Sequence, residues 1–190
     1  MVWNEIVSAI CICLSAALFS LSLQGQKKIT ILFVQLFASL LFLANYLFVI
    51  QINPSATAGA VVAICEIARL IVFYIIEKHP KFNTQKINLI AGVSFSIILS
   101  IATIFAWSGW ISIFPLVGGI LVSLALGSKN VILIKLAFII QAACITIYLL
   151  MLSLWINATS QAVVFVFGIF GIITMIKKVK TQTEQTKANA

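Results

Sequence analysis

Polar positions are so sparse in this chain that they act as punctuation. Long runs of Ile, Leu, Val, Phe and Ala break at Gln24-Gly25-Gln26-Lys27-Lys28, at Asn53-Pro54, at Glu77-Lys78-His79-Pro80-Lys81, at Trp107-Ser108-Gly109-Trp110, and after Ile176. About 20 apolar residues in helical form cross the hydrocarbon core of a bilayer. None of the runs alternates polar with apolar residues as a barrel strand would. The pattern predicts an all-α integral membrane protein with seven transmembrane helices, over residues 6–23, 29–52, 55–76, 87–107, 111–126, 131–155 and 158–176. Proline bars continuation of the second helix at Pro54. The uncharged stretch from Ile87 to Ser128 is too long for one crossing, so the two tryptophans around Ser108-Gly109 read as an interfacial turn between the fourth and fifth helices. Residues 177–190 are polar and read as a disordered cytoplasmic tail.

Charge adds an orientation. Lysines occupy the first connection (Lys27, Lys28), the third (Lys78, Lys81, Lys86), the fifth (Lys129, with Lys135 just inside the sixth helix) and the tail (Lys177, Lys178, Lys180, Lys187). The other connections have none. By the positive-inside rule this places the N-terminus outside and the C-terminus in the cytoplasm. Lys135 is expected to snorkel toward the cytoplasmic interface. The first helix has no basic leader and reads as a retained span, not a signal peptide.

At 63% apolar and 8% charged residues, the chain carries too little charge to cover a soluble domain. The net charge of +8 lies scattered among loops, so no nucleic-acid partner is expected; the bilayer is the partner. Cys11, Cys13, Cys65 and Cys144 sit within apolar runs without metal-ligand spacing and read as small packing residues. No metal or cofactor is expected. The chain has no Asp, a single His (His79, in a loop), no Ser-His-acid set and no Gly-rich phosphate loop, so an enzyme is not expected. Asn157-Ala158-Thr159 matches a glycosylation sequon but abuts a span, and is set aside.

A repeat is legible. Gly25-Gln26-Lys27 corresponds to Gly127-Ser128-Lys129, and at the same offset Tyr46-Leu47 falls on Tyr148-Leu149. After a two-residue insertion, Ile52-Asn53-Pro54-Ser55 falls on Ile156-Asn157-Ala158-Thr159. Two parallel three-helix repeats are therefore expected, residues 6–76 and 108–176, joined by a linker helix at 87–107 within one transmembrane domain spanning 1–190.

The helix over residues 55–76 carries Glu66 and Arg69 near its middle. Charges at that depth cost about 2.5–3.5 kcal/mol each on insertion scales and commonly mark a solute or ion route. Spaced i, i+3, the two share a face and are expected to neutralise each other in part. Facing repeats would bring these residues together with Gln141, and with Asn45, Tyr46 and Tyr148 toward the outer half, as substrate-binding candidates. Arg69 would anchor an anionic group through its guanidinium fork.

Gly59-Ala60 through Arg69, the entry from Trp110 to Pro115-Leu116-Val117-Gly118, and the overall length resemble the YgjV family of small bacterial inner-membrane proteins. The resemblance implies a multi-pass location in that membrane and points to no particular substrate. The family pattern has asparagine three residues before the arginine, where this chain has Glu66, so no role is carried over to that position. The layout also resembles SWEET-type carriers and vitamin-precursor transporters; Pro115 fits the proline of the former, but the first helix has none. Two functions follow as expectations: a secondary transporter or facilitator of a small polar or anionic solute, or a non-transporting assembly or regulatory protein in which Glu66–Arg69 is a structural pair. A water-accessible polar cavity at Arg69 would favour the first, a dry packed one the second.

Overall fold

The structure, a computed structural model, describes residues 2–188, and among these it is all-helical. Seven helices follow in order: α1 (Val2–Gln24), α2 (Lys28–Ile52), α3 (Thr57–Lys78), α4 (Gln85–Phe105), α5 (Ile113–Leu126), α6 (Val131–Met151) and α7 (Trp155–Ala188). Six are long and apolar enough to cross a membrane; α5 is the short one, running from Trp110 to Leu126 when its leading 3-10 turn is included.

The breaks follow local chemistry. Asn53 ends α2, and its side chain accepts a hydrogen bond from Ser55 N (3.1 Å), setting up the 3-10 turn Pro54–Ala56 that feeds α3. Thr84 caps α4 through Ile87 N, and Asn130 caps α6 through Ile132 N and Leu133 N; such caps contribute about 1 kcal/mol. Between α4 and α5 the chain turns at Gly109, whose φ of 115° suits a residue without Cβ.

Three expectations need correction. The sixth helix stops at Met151, not near Trp155, and Trp155 already begins α7, which puts Asn157 inside that helix. The turn between them has no proline, glycine or charge to announce it. It is held by Leu154 N bonding to Leu149 O (3.0 Å), by Ser153 at φ 59°, and by Asn53 Nδ2 donating to Leu152 O. The tail expected to be disordered continues α7 as helix to Ala188; its Lys, Gln and Glu residues are good helix formers, and no Pro or Gly interrupts them. Residues 189–190 lie outside the described residues. Lys135 does not snorkel but is buried, held by interactions inside the fold.

α1 packs on α2 and α7, α2 on α3, α3 on α5, and α6 on both α5 and α7, so six helices close into a ring. α4 braces the α3–α5 seam from outside and is the most lipid-facing, with 22% of its span buried. All four tryptophans, Trp3, Trp107, Trp110 and Trp155, stand exposed at the end where α1 begins and α2 finishes. The lysine-bearing connections lie at the other end.

The core is divided. One apolar cluster, including Phe19, Leu23, Phe73 and Phe138, fills the lysine half; a second, including Ile12, Phe42, Tyr46 and Leu149, fills the tryptophan half. Ser39, Glu66 and Gln141 lie at the level where they part.

Candidate functional site

Glu66 sits near the centre of α3 with 3% of its surface exposed. Its Oε1 accepts from Ser39 Oγ on α2 (3.0 Å) and its Oε2 from Gln141 Nε2 on α6 (2.9 Å), so one carboxylate ties three helices together. Beside it lies a cavity of about 20 Å³, walled by Phe19, Phe42 and Phe138 and by the polar groups of Glu66, Gln141 and Gln161. That volume suits about one water molecule. Gln141 Oε1 and Gln161 Nε2 find no partner among the described residues.

Arg69 turns elsewhere. Its Nη1 donates to Gly119 O (2.7 Å) and Ser123 Oγ (2.8 Å) on α5. Among the described residues it forms no direct ion pair with Glu66, because its longer side chain reaches carbonyl and hydroxyl acceptors across the seam while Glu66 faces α2 and α6. Arg69 is 2% exposed, and the gap between it and Phe95 and Leu99 of α4 has about 0 Å³ of room for water. Its Nε and Nη2 have no partner among the described residues.

Tyr46 and Tyr148, both fully buried, converge on the first turn of α3. Tyr148 Oη donates to Ser55 O (3.0 Å) and accepts from Gly59 N (3.3 Å). The Tyr46 ring lies on Gly59 so closely that a Cβ there would sit 2.5 Å from its Cζ and Oη. Asn45 Oδ1 accepts from Ser8 Oγ of α1 (2.6 Å). Asn45 Nδ2 and Tyr46 Oη have no partner among the described residues.

At the tryptophan end opens a recess of about 240 Å³, lined by Ser8, Val49, Ser153, Trp155, Ile156 and Asn157, among others. Asn157 is 5% exposed, and its Nδ2 has no partner among the described residues. Helical spacing relates this recess to the inner cavity. Asn157 and Gln161 are one turn apart on α7, and Val49, Asn45 and Phe42 descend α2 by about a turn per step, roughly 5.4 Å each. Asn157 thus lines the recess and Gln161 the inner cavity, one turn apart on one helix, whereas Asn45 faces Ser8 of α1 and Tyr46 faces Gly59 of α3.

At the lysine end one side chain ties several helices together. Lys28 Nζ donates to Leu126 O (2.9 Å) and Asn88 Oδ1 (3.3 Å), pairs with Glu77 at 3.5 Å and lies over the Phe73 ring. One ammonium therefore joins α2, α3, α4 and α5.

The structure brings Glu66 and Gln141 together and sets Asn45, Tyr46 and Tyr148 above them, while Arg69 faces away. Sequence reasoning missed Ser39, Gln161, Ser8 and Lys28. Gln161, an amide in the first turns of an apolar helix, was detectable; Ser39 resembles every other intrahelical serine, and its role comes from the fold alone.

With six helices long and apolar enough to span, the chain has the architecture of a multi-pass membrane protein. Compared with protein-family models, with curated proteins and with solved structures, it matches none.

Proposed function

We propose that this protein is a secondary carrier or facilitator of a small polar solute, in a bacterial inner membrane and related to the YgjV proteins, with the N-terminus outside and two three-helix repeats flanking α4. The observation that carries the reading is the small polar cavity beside Glu66, at which Gln141 and Gln161 each keep an amide atom without a partner among the described residues. Buried polar groups are nearly always hydrogen-bonded, and the spare amide atoms of Gln141 and Gln161 beside Glu66 suit a water or a polar group of a solute entering there. At the opposite end Lys28 ties α2, α3, α4 and α5 together, which is compatible with a carrier held on one side at a time. In this reading Glu66 and Gln141 line the route, Asn45, Tyr46 and Tyr148 flank it, and Arg69 clamps α3 to α5.

The packed surroundings of Arg69 favour a second reading, an assembly or regulatory protein whose polar groups only bond helices. Melting of purified protein with sugars, carboxylates, nucleosides and vitamins separates the two. A ligand at 100 times its Kd adds about 2.7 kcal/mol. The carrier reading expects a stabilising compound whose effect disappears in Glu66→Gln and Gln161→Leu. Failure of every compound, or an effect that survives both substitutions, favours the structural protein.

A further inference from the structure

Along the outer side of the α1–α7 contact runs a groove of about 610 Å³. Buried Ala16 and Ser160 form its floor, and exposed Ala17, Leu21, Val163 and Phe167 its rims. The Ser160 hydroxyl donates to Ile156 O (3.0 Å), so its hydrogen is spent within α7. From Cys13 to Gln24 the groove follows α1 for about 16 Å at 1.5 Å per residue. That is close to the depth of one leaflet, half of roughly 30 Å of hydrocarbon. Gln24 Nε2, bonded to Phe167 O at 3.3 Å, bounds it at the lysine end. Spread over this length, the volume makes a channel roughly 6 Å wide, too narrow for a helix about 10–12 Å across with its side chains. A single hydrocarbon chain fits such a channel.

Positive charge lies where that chain would end. Lys27 is exposed three residues after Gln24, at most about 11 Å along the backbone. Gly171 lies level with the end of α1, since a Cβ there would sit 2.8 Å from Leu23 O. Lys177, exposed and also held by interactions within the chain, follows about 9 Å further along α7. Of the acidic residues, Glu66 is buried, Glu77 pairs with Lys28, and Glu5 belongs to the opposite end of α1. The side chain of Glu184, seven residues beyond Lys177, lies outside the described residues. We propose that this groove holds one acyl chain of an anionic phospholipid from the leaflet at the lysine end, its phosphate set against Lys27 and Lys177. The assignment needs only a membrane location and stands whether or not the protein transports a solute.

The test titrates full-length protein in detergent with phosphatidylglycerol or phosphatidylcholine of identical acyl chains, and counts bound lipid by native mass spectrometry. One phosphatidylglycerol per chain is expected to be retained, and phosphatidylcholine more weakly. Lys27→Gln and Lys177→Gln should each weaken that retention about fivefold. Filling the groove from either rim, by Ala17→Phe or Val163→Trp, should abolish it. Melting checks that each variant is folded, and either rim variant decides the matter if the other is not. Equal retention of the two lipids, or retention unchanged in the folded rim or lysine variants, means ordinary bilayer contact and overturns the proposal. A dimer that Ala17→Phe converts to monomer gives the groove to a second copy and also overturns it.

Discussion

Gly59 shows how tightly individual residues are set around the first turn of α3. A methyl group there would press into the Tyr46 ring, and overpacking of this kind costs about 1–3 kcal/mol. Gly59→Ala is therefore expected to lower the melting temperature, and adding Tyr46→Leu should recover part of the loss; an additive double variant would mean that the two do not share the space. Arg69→Met removes the donors to Gly119 O and Ser123 Oγ, and hydrogen bonds from a charged group contribute about 1.5–3 kcal/mol. If Arg69 only occupies space, unfolding in detergent will show no such loss. The sequence made Glu66 and Arg69 conspicuous because charge is rare in an apolar helix. It did not show that they part, since i, i+3 spacing fixes a shared face and not which neighbouring helix each side chain reaches. Ser39 and Gln141 become partners of Glu66 only when α2, α3 and α6 meet.

Helices were more legible than their joints. A stretch of apolar residues long enough for the bilayer dictates a helix because every backbone group must be satisfied internally, and this reasoning located all seven. Joints were legible where chemistry marks them, as at Asn53-Pro54 and Ser108-Gly109. They were missed at Leu152–Leu154, where tertiary hydrogen bonds fold an apolar segment. Lys28 was read as a loop charge, yet it joins four helices. Lys28→Met should destabilise the bundle by about 1.5–3 kcal/mol, the range for hydrogen bonds to a charged group, and hydrogen exchange should rise first in the opening turns of α4, next to Asn88. Equal exchange in wild type and variant would remove the lock. α7 spans about 51 Å at 1.5 Å per residue, more than the hydrocarbon core requires, so its lysine-bearing end extends into water as helix.

The whole molecule is polarised, with tryptophans at one end and lysines at the other. If the orientation inferred from the lysines holds, a membrane-impermeant amine reagent will label inverted vesicles strongly and intact spheroplasts weakly at the loop lysines. The reverse pattern would invert the topology.

The shortness of α5 has a consequence for the membrane itself. From Trp110 to Leu126 it covers about 25 Å, against roughly 30 Å of hydrocarbon, with Trp110 exposed at one end. α4 shields part of it, but Val117, Leu121 and Leu124 remain exposed. Lipids touching them must compress, or the helix must be pulled from register, at a cost of fractions of a kcal/mol per ångström. Bilayer thickness then becomes a control on this protein: melting in nanodiscs should peak with short acyl chains and decline as the chains lengthen, and a helix free of this mismatch would show no such trend.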